Sequence, residues 1–442
     1  MTIIRILEEV SHVLDILNKA GFSAYIVGGC VRDSLLKNEP KDWDVASNAK
    51  PEEVRKIFEV TKDTGLKYGT ITVIIEKTHI EVTTYRIEER YTDRRRPDSV
   101  TFTDDLKQDL SRRDFTMNAM AYHPKSGLFD PFKGTGDIKD RIIRAVGDPC
   151  ERFEEDALRM LRCIRFAVQL RFDIDEGTFD AAKTLCAHAS ILSAERVSIE
   201  LTKILMSDNP TKGFVLLEES GLLKYILPEF HECFNTPQNN PYHEFNVAMH
   251  CLVSVSNIEK NKILRWTMLL HDIGKAVTRT TDSKDIDHFH GHAEKSVVIA
   301  KKVLTSLKFD KKSIEKILKL IKHHDLRGEP SEKLVRRFMN RLGDDFCRFL
   351  KVQRADLVAH NPQYLARGLE RLAALEEIYT DIKKRGDCIH LNGLAVNGDD
   401  LIAVGFEEGE EIRETLEKLL EVVIDRPEMN EKEKLLTWIQ EK

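Results

Sequence analysis

The sequence predicts an α+β protein, with strands and helices mixed in its N-terminal third and helices alone in the remainder. Across residues 23–150, short runs of β-branched and aromatic residues alternate with helical patterns. From about Glu151 onward, apolar residues recur at the spacing of amphipathic helices, and no segment reads as a convincing strand. At roughly 150 residues per domain, the 442 residues correspond to about three domains.

Strand and helix signals follow one another in the N-terminal part. Apolar residues from Ile4 to Leu17 fall on one helical stripe between charges, which predicts an amphipathic helix rather than a signal peptide. A helix is also predicted from about Val31 to Leu36. Strands are predicted at residues 24–27, 42–45, 71–76 and 80–85, the last two forming a hairpin.

Two breaks divide the helical remainder. Residues 234–241 read as a loop, and a second interruption falls near Gly386. We therefore expect four regions: a head (1–150), a helical neck and body (151–235), a third domain (236–360) and a helical tail (361–442).

Composition excludes several classes of protein. Hydrophobic residues make up 41% and charged residues 32% of the chain, which is the balance of a folded protein rather than a disordered one. No apolar run approaches the ~20 residues that cross a bilayer, so a membrane-spanning protein is excluded. The eight cysteines are scattered without a CxxC pair, as is typical of reduced thiols, and a cytoplasmic location is expected.

Arginine is clustered although the formal net charge is −6. Arg94, Arg95 and Arg96 are consecutive, and seven arginines without a lysine lie between Arg141 and Arg171. Guanidinium groups favour bidentate contacts with phosphates or bases. A solvated helix face held by salt bridges would produce the same clustering, so composition leaves both interpretations open.

The segment KDWDVA carries a candidate metal site. Because strand side chains alternate, Asp42 and Asp44 should share one face, ~7 Å apart. Such a pair suits a hard divalent cation, above all Mg²⁺ on a triphosphate. Upstream, Gly28 and Gly29 stand between a strand and a helix start, where backbone N–H groups favour a phosphate. A turn or cap would explain either motif alone; their order is the specific signal.

Two further segments bring arginines together with carboxylates. Arg112-Arg113-Asp114 would suit a triphosphate or a ribose, or would simply start a helix capped by Asp114 or Thr116. In EEDALRMLRCIRF, the spacing places Asp156, Arg159 and Arg162 on one helical face. A surface ion pair is the ordinary explanation of that face. Alternatively, an acceptor-only Asp beside a donor-only Arg would accept cytosine and adenine and reject uracil and guanine.

Five segments in this order resemble the successive motifs of one family: VGGCVRD, DWDVA, RRDFTMNAMAY, DPFKGTGDI and EEDALRMLRCIRF. The family is the class II tRNA nucleotidyltransferases, the CCA-adding enzymes, together with the closely similar bacterial poly(A) polymerases. The resemblance covers about residues 22–230, with a weaker match near 392–427. It implies a β-polymerase-like head with a mixed sheet, followed by a helical neck, body and tail.

The resemblance also implies roles for individual residues. Asp42 and Asp44 would be catalytic and hold Mg²⁺, and Asp156 and Arg159 would select the base, with Glu195-Arg196 in a supporting role. The nucleotide-binding set would be Gly28, Gly29, Arg32, Arg113, Asp156, Arg159, Arg162 and Arg165.

Two positions near the carboxylate pair carry expectations of their own. Glu81 is the candidate third carboxylate, unless it is a strand residue that pairs with a nearby arginine. Trp43 stands where the family usually has an aliphatic residue and should pack inward.

The implied reaction is template-independent addition of CMP and AMP, from CTP and ATP, to the tRNA 3′ end by two metal ions. The arginine-rich loop between Arg86 and Phe102 is intact, and its shortening accompanies CC-only addition in the family, so full CCA addition is favoured. A poly(A) polymerase, a CC-only enzyme and an A-only enzyme share the motifs and stay open. The expected partners are tRNA, CTP and ATP, with no membrane or DNA, and a homodimer is compatible with the sequence.

A second candidate metal site lies in the helical part. Nine of the 15 histidines fall between His231 and His324, around the adjacent pair His271-Asp272. Mixed imidazole and carboxylate ligands suit Mn, Fe, Co, Ni or Zn, with bound water activated for hydrolysis. The ordered pattern, from His250 to Asp356, resembles an HD-superfamily phosphohydrolase domain over about residues 240–360.

Transfer from that superfamily gives two ligand sets. The first is His250, His271, Asp272 and Asp356; the second is His292, His323 and His324, with Asp272 as a bridge. His243 and His290 are left without a role. The implied activity is hydrolysis of 2′,3′-cyclic or 2′-phosphates. An alternative of another class is an HD phosphohydrolase whose N-terminal half only binds RNA, which the preserved DxD and EDxxR motifs argue against.

Overall fold

The computed structural model describes residues 4–89 and 99–441. Contacts between Cα atoms divide the chain into two compact units, Met1–Pro228 and Glu229–Lys442. Within the described residues, every helix is too short or too polar to cross a membrane.

The first unit is built on a mixed sheet. The strands described in this unit are β1 (Ala24–Val27), β2 (Asp44–Ser47), β3 (Thr61–Gly65), β4 (Thr70–Ile75), β5 (Thr78–Thr84), β6 (Arg86–Glu89), β7 (Ser99–Phe102), β8 (Ala121–His123), β9 (Gly127–Phe129), β10 (Ile142–Ile143) and β11 (Asp173–Ile174). Over the described residues, the sheet has seven of these strands in the order β3-β4-β5-β2-β1-β8-β9. Neighbouring strands are antiparallel except β2 and β5, which are parallel.

Helices pack on this sheet and continue beyond it. The helices of the first unit are α1 (Glu8–Lys19), α2 (Gly29–Leu35), α3 (Pro51–Ile57), α4 (Leu106–Ser111), α5 (Gly134–Asp140), α6 (Pro149–Glu155), α7 (Leu158–Leu170), α8 (Glu176–Thr184), α9 (Ala194–Leu205), α10 (Pro210–Glu219) and α11 (Leu223–Ile226). The apolar stripe of α1 joins Ile26, Val45 and Val82 in one core. Trp43 is 6% exposed in this core, so its expected inward packing is confirmed.

The predicted hairpin of β4 and β5 is confirmed, but two predicted boundaries are wrong. The second strand begins at Asp44 and not at Asp42, because ladder pairing starts only where Asp44 meets Glu81. Asp156 precedes α7 with extended backbone and caps Leu158, so it is not on a helical face with Arg159 and Arg162. The helical part also contains two-residue strands that the 3.6-residue pattern did not reveal.

The arginine-rich stretch is flanked by structure. Antiparallel strands β6 and β7 pair from Arg86–Phe102 to Glu89–Ser99, within a polar stretch whose sequence shows no core-forming pattern. The consecutive arginines Arg94, Arg95 and Arg96 lie outside the described residues.

Over its described residues, the second unit is helical apart from one two-stranded ladder, β12 (Thr280–Thr281) with β13 (Asp287–His288). The helices are α12 (Pro228–Phe234), α13 (Val247–Ser256), α14 (Lys262–Leu270), α15 (Lys275–Thr278), α16 (His292–Ser306), α17 (Lys311–His323), α18 (Glu332–Leu342), α19 (Phe346–Val358), α20 (Leu365–Arg385), α21 (Gly398–Ala403), α22 (Glu410–Asp425) and α23 (Lys432–Gln440). Helix α13 packs on α14 and α19, and α16 packs on α17. Gly386 ends α20 with φ of 70°, which matches the predicted break.

Candidate functional site

An arginine-lined cavity of about 500 Å³ lies in the first unit. Counted over the described residues, seven arginines and three aspartates contribute to its wall. The structure thus brings together all eight residues of the nucleotide-binding set expected from the sequence. The lining residues are Gly28, Gly29, Arg32, Asp44, Arg112, Arg113, Asp114, Asn118, Asp156, Leu158, Arg159, Arg162, Arg165, Phe166 and Arg196.

Three carboxylates surround the start of β2. Asp44 pairs with Glu81 across the parallel strands β2 and β5, and residues paired in this way project from the same face of a sheet. Burial raises the pKa of Asp44, and the Glu81 and Asp42 carboxylates add to the rise while Arg113 opposes it. Asp42 is exposed and lines a different cavity, of about 850 Å³. Of the expected pair, therefore, only Asp44 contributes to the arginine-lined wall.

Gly28 lets a guanidinium lie directly against the turn between β1 and α2. Its φ is 80°, and a Cβ atom there would stand 2.7 Å from Nη1 of Arg113. Arg113 forms an ion pair with Asp109, whose Oδ2 is 3.5 Å from Arg113 Nη2. Asp109 is fully buried and also pairs with Arg112 at 2.9 Å. The sequence analysis missed Asp109, although its spacing of three and four residues from these arginines was a usable signal.

A second group of guanidiniums surrounds a buried aromatic ring. The Cζ atoms of Arg32, Arg162 and Arg165 lie 5.0, 5.4 and 4.0 Å from the centroid of Phe166. Arg32 donates to Asn118 Oδ1 at 2.7 Å, which fixes its position beside Gly29. Cation–π contact with the electron-rich ring face lowers the cost of collecting like charges in one place.

Asp114 neutralises part of this positive charge. Its Oδ2 accepts from Nε and Nη2 of Arg162 at 2.8 and 2.6 Å. Burial raises the pKa of Asp114, but Arg162 and Asn118 outweigh burial and hold it at about 2. Arg165 is paired differently, with Nε 2.9 Å from Oε2 of Glu200. These pairs fix the guanidiniums in space before any anion binds.

The two residues of the expected base template are not paired with each other. Asp156 Oδ2 accepts from Nη2 of Arg196 at 2.6 Å, and its Oδ1 caps Leu158. Arg159 instead donates to Oε2 of Glu155 at 2.5 Å and to the carbonyl oxygen of Arg112 at 2.9 Å. The supporting position expected for Arg196 is therefore a direct contact with Asp156.

A buried metal-ligand cluster lies in the second unit. One potential ligand atom from each of His250, His271, Asp272 and Asp356 falls within 4.8 Å of the others. His250 Nε2 lies 3.0 Å from Oδ1 of Asp356 and 3.4 Å from Oδ2 of Asp272. His271 Nε2 lies 3.3 and 3.4 Å from the same two oxygens. The first ligand set expected from the sequence thus converges on one point.

Asp272 also faces a second group through its other oxygen. Oδ1 lies 3.4 Å from Nε2 of His292 and 3.4 Å from Nε2 of His324. Each of the two oxygens of Asp272 therefore faces a separate group of potential ligands. His323, which was expected in the second set, is not in the cluster. It lies near Lys319 and Arg341, because consecutive helix positions point about 100° apart and only His324 turns inward.

The histidines are preset to bind cations through Nε2. Their Nδ1 atoms lie 2.8, 2.9 and 2.6 Å from the carbonyl oxygens of Met268, Phe289 and Ile321, for His271, His292 and His324 respectively. A carbonyl oxygen only accepts, so Nδ1 carries the proton and Nε2 keeps its lone pair. Buried Oδ1 of Asp272 has no hydrogen-bond partner among the described residues. Both features fit a divalent transition metal.

Residues outside the expected sets complete this site. Lys275 Nζ lies 2.7 Å from Oδ2 of Asp272, and the Lys275 ammonium holds the pKa of Asp272 well below its usual range despite burial. His243 and His360 form a further histidine group with His250. Burial is the main reason that their pKa values fall to about 2 and about 4. His360, missed by the sequence analysis, follows Asp356 by one helical turn, which was an available signal.

Comparisons with known families match three successive regions. Residues 24–144 match the poly A polymerase head domain, and residues 171–234 match a region described as "Probable RNA and SrmB- binding site of polymerase A". Residues 242–359 match the HD domain. Both domain types imply divalent metals. The expected combination of a nucleotidyltransferase head and an HD domain is confirmed.

Individual relatives agree with these matches. The chain is 38% identical to the CCA-adding enzyme of Lactococcus lactis subsp. cremoris over 310 residues, which cover 66% of this chain and 76% of that enzyme. It is 47% identical to the Staphylococcus aureus CCA-adding enzyme over 219 residues, covering 50% and 55% of the two chains.

A solved structure extends the similarity over nearly the whole fold. The crystal structure of the Bacillus stearothermophilus CCA-adding enzyme in complex with CTP aligns with a TM-score of 0.71 and 28% identity, covering 98% of this chain and 96% of that one. The expected fold class, a mixed-sheet head followed by helices, is confirmed. The chain belongs to the CCA-adding enzyme family of nucleotidyltransferases, in a form that carries an HD domain.

Proposed function

We propose that this chain adds CMP and AMP from CTP and ATP to the 3′ end of tRNA without a nucleic-acid template. The observation that carries the proposal is the cavity in which Asp44 faces a wall of seven arginines, counted over the described residues. Guanidinium groups bind the phosphate oxygens of a triphosphate, and a carboxylate opposite them can bind the cation that accompanies it. Family membership and the CTP complex of the Bacillus stearothermophilus relative support the same assignment.

The chain's own residues would divide the work as follows. Asp44, Asp42 and Glu81 would hold Mg²⁺, since a divalent cation would offset both the burial and the neighbouring carboxylates that raise the pKa of Asp44. Bound there, Mg²⁺ supplies charge neutralisation for the triphosphate and eases ionisation of the attacking hydroxyl. Arg113, lying against Gly28, would bind the ribose or a phosphate. The arginines around Phe166 would position the remaining phosphate oxygens.

Base selection is proposed to rest on Asp156 and Arg159. Asp156 would accept a hydrogen bond from the amino group of cytosine or adenine, and Arg159 would donate to the adjacent ring nitrogen. Uracil and guanine present the opposite polarity at these positions. Arg196 holds the Asp156 carboxylate through Nη2 at 2.6 Å and thereby sets its orientation.

The experiment that tests this function uses three tRNA substrates, ending at the discriminator base, at C and at CC. Each is incubated with labelled CTP, ATP or both, and the products are separated by length. We expect completion to CCA from all three and no further extension. Long adenosine tails would instead identify a poly(A) polymerase, and products that stop at CC or that form only from the CC substrate would identify a partial enzyme.

We propose further that residues 242–359 form a metal-dependent hydrolase of 2′,3′-cyclic or 2′-phosphates. The observation that favours it is Asp272, whose two oxygens face two separate histidine groups at 3.4 Å. The metal would be Mn, Fe, Co, Ni or Zn, held by His250, His271, Asp272 and Asp356, with His292 and His324 on the second side. Elemental analysis of freshly purified protein and hydrolysis of cyclic nucleotides test this activity.

A cytoplasmic location and a homodimeric assembly are also proposed. All eight cysteines are free, and Cys30, Cys163 and Cys233 are buried with raised pKa values, mainly because burial disfavours the thiolate. Reduced thiols of this kind suit the cytoplasm. The proposed partners are tRNA, CTP and ATP, and the homodimer remains a prediction that gel filtration with light scattering can check.

A further inference from the structure

Another cavity, of about 640 Å³, lies in the second unit. Three side chains, His243, Arg327 and His360, line both this cavity and the one of about 330 Å³ that contains Asp272. The two spaces therefore meet at these residues. The larger one falls within the range of volumes that enclose small organic ligands.

An aromatic pair forms part of the wall of the larger cavity. The ring centroids of Tyr242 and Tyr364 are 4.9 Å apart with a tilt of 43°. The two residues are 56% and 37% exposed, so part of each aromatic ring remains accessible to a ligand. Leu357 and Leu372 line the same cavity. Exposed aromatic faces beside aliphatic side chains suit a planar, partly polar ring such as a nucleobase.

Arg327 brings a guanidinium to the end of the cavity nearest the cluster. Its Nη2 lies 3.4 Å from Oδ2 of Asp356 and 3.4 Å from Oδ1 of Asp325, and its side chain is half exposed. Arg367 and Arg371 also line the cavity, against the carboxylates of Glu329 and Glu370. Guanidinium groups bind phosphate oxygens in a bidentate manner. A phosphate beside Arg327 would lie next to the ligands of the proposed metals.

The two shared histidines add polar atoms at the junction. Nδ1 of His243 and Nδ1 of His360 are both buried and have no hydrogen-bond partner among the described residues. A buried polar atom without a partner is costly, and a ligand hydroxyl would satisfy it. The larger cavity thus has aromatic rings in its wall, and imidazole and guanidinium groups where it meets the cavity that contains Asp272. These groups suit the base, the ribose and the phosphate of a nucleotide.

We propose that this cavity binds a nucleoside phosphate as the substrate of the HD site, with the base on Tyr242 and Tyr364 and the 2′- or 2′,3′-cyclic phosphate beside Arg327. The inference rests on the proposed hydrolase function. In the hydrolysis of the cyclic diester, the oxygen of water bonds to phosphorus as one ribose P–O bond breaks. The protons of water end on the released ribose oxygen and in solvent, so that the product is a monoester.

The test uses the full-length chain loaded with Mn²⁺. Hydrolysis of adenosine 2′,3′-cyclic phosphate is measured for the wild type and for Tyr364→Ala, Tyr364→Phe and Phe245→Ala. Phe245 is a matched control, because it is also 37% exposed but does not line the cavity. Loss of base stacking should raise KM about 5- to 100-fold in Tyr364→Ala. Tyr364→Phe and Phe245→Ala should keep the wild-type KM, and inorganic phosphate, which has no base, should inhibit Tyr364→Ala and wild type with equal Ki.

Equilibrium binding of adenosine 2′-phosphate separates failure of this inference from failure of the hydrolase. If the protein hydrolyses none of these substrates, the hydrolase proposal fails. The affinity for adenosine 2′-phosphate then shows by itself whether the cavity binds a nucleotide. Any affinity for the nucleotide-transfer site is common to all variants, so a loss confined to Tyr364→Ala reports this cavity. Equal affinity, or equal KM, in wild type and Tyr364→Ala overturns the inference. Tm measurements confirm that each variant is folded.

Discussion

Asp156 is held by Arg196, at 2.6 Å between Oδ2 and Nη2, and not by Arg159 in the neighbouring helix α7. The carboxylate proposed to read the incoming base is therefore oriented from α9, forty residues further along the chain. In Arg196→Ala, the carboxylate loses this charged donor, and we expect discrimination of CTP over UTP to fall about 10- to 100-fold, as a lost charged hydrogen bond permits.

The ratio of kcat/KM for CTP and UTP on a tRNA ending at the discriminator base measures this effect. Arg171→Ala is the matched control, because the Arg171 side chain is 72% exposed and forms an ion pair with Asp208. Asp156→Ala should lose the same discrimination. A ratio that stays at the wild-type value in Arg196→Ala or in Asp156→Ala would remove the base-template assignment.

The carboxylates at β2 should be essential for transfer but not for RNA binding. We expect Asp42→Ala and Asp44→Ala each to lower CMP incorporation by at least about 1000-fold, since removal of a metal ligand removes stabilisation of the charge that develops in the transition state. tRNA affinity, measured by gel shift, should change little. Asp63→Ala, at an exposed ion pair with Arg55, is the control. Normal turnover in either active-site variant would contradict the metal assignment.

Position 28 should require glycine both for its backbone conformation and because a Cβ atom there would displace Arg113. Gly28→Ala places a Cβ atom 2.7 Å from Arg113 Nη1, and we expect KM for CTP to rise at least about 10-fold as Arg113 is displaced. Gly147→Ala separates the two effects, because Gly147 also has positive φ, of 71°, but open space around it. Both variants should lose roughly 1 kcal/mol of stability. Equal KM values in the two variants would argue that Arg113 does not contact the nucleotide.

Asp114 should stabilise the first unit in a pH-dependent way. Its pKa is about 2 in the folded protein and about 4 in an unfolded chain. The folded state therefore favours the ionised form, and the stabilisation is complete above about pH 4 and lost as pH falls towards 2. We expect Asp114→Asn to lower the apparent Tm at pH 7, with a difference from wild type that shrinks between pH 4 and pH 3. A difference that stays constant with pH would contradict the ion pair with Arg162.

Adjacent histidines provide the sharpest test of the second site. His324 Nε2 lies 3.4 Å from Asp272 Oδ1, whereas His323 lies outside the cluster. We expect His324→Ala to lower the transition-metal content of the purified protein, by about one ion per chain if two are bound. His323→Ala should leave the content unchanged. Elemental analysis of both variants checks this, and equal metal loss in the two would contradict the inward position of His324.

Most of the fold and of the ligand types could be predicted because they depend on local patterns. Alternation of β-branched residues predicted the β4–β5 hairpin, and the apolar stripe predicted α1. The HD ligand set could be transferred from its ordered spacing. The ends of strands and helices were less predictable. Asp42 lies outside β2 because strand pairing begins only at Asp44, and Asp156 lies outside α7.

The sequence by itself determined the residue types at each site: aspartates behind a glycine turn, an arginine-rich segment, and histidines around His271-Asp272. Only the tertiary structure decided which of these side chains meet. Asp114 on Arg162, Arg196 on Asp156, and His360 beside His250 are contacts of this kind. Local patterns depend on neighbours a few residues apart, whereas the partner of a buried charge is set by how helices and strands distant in sequence pack together.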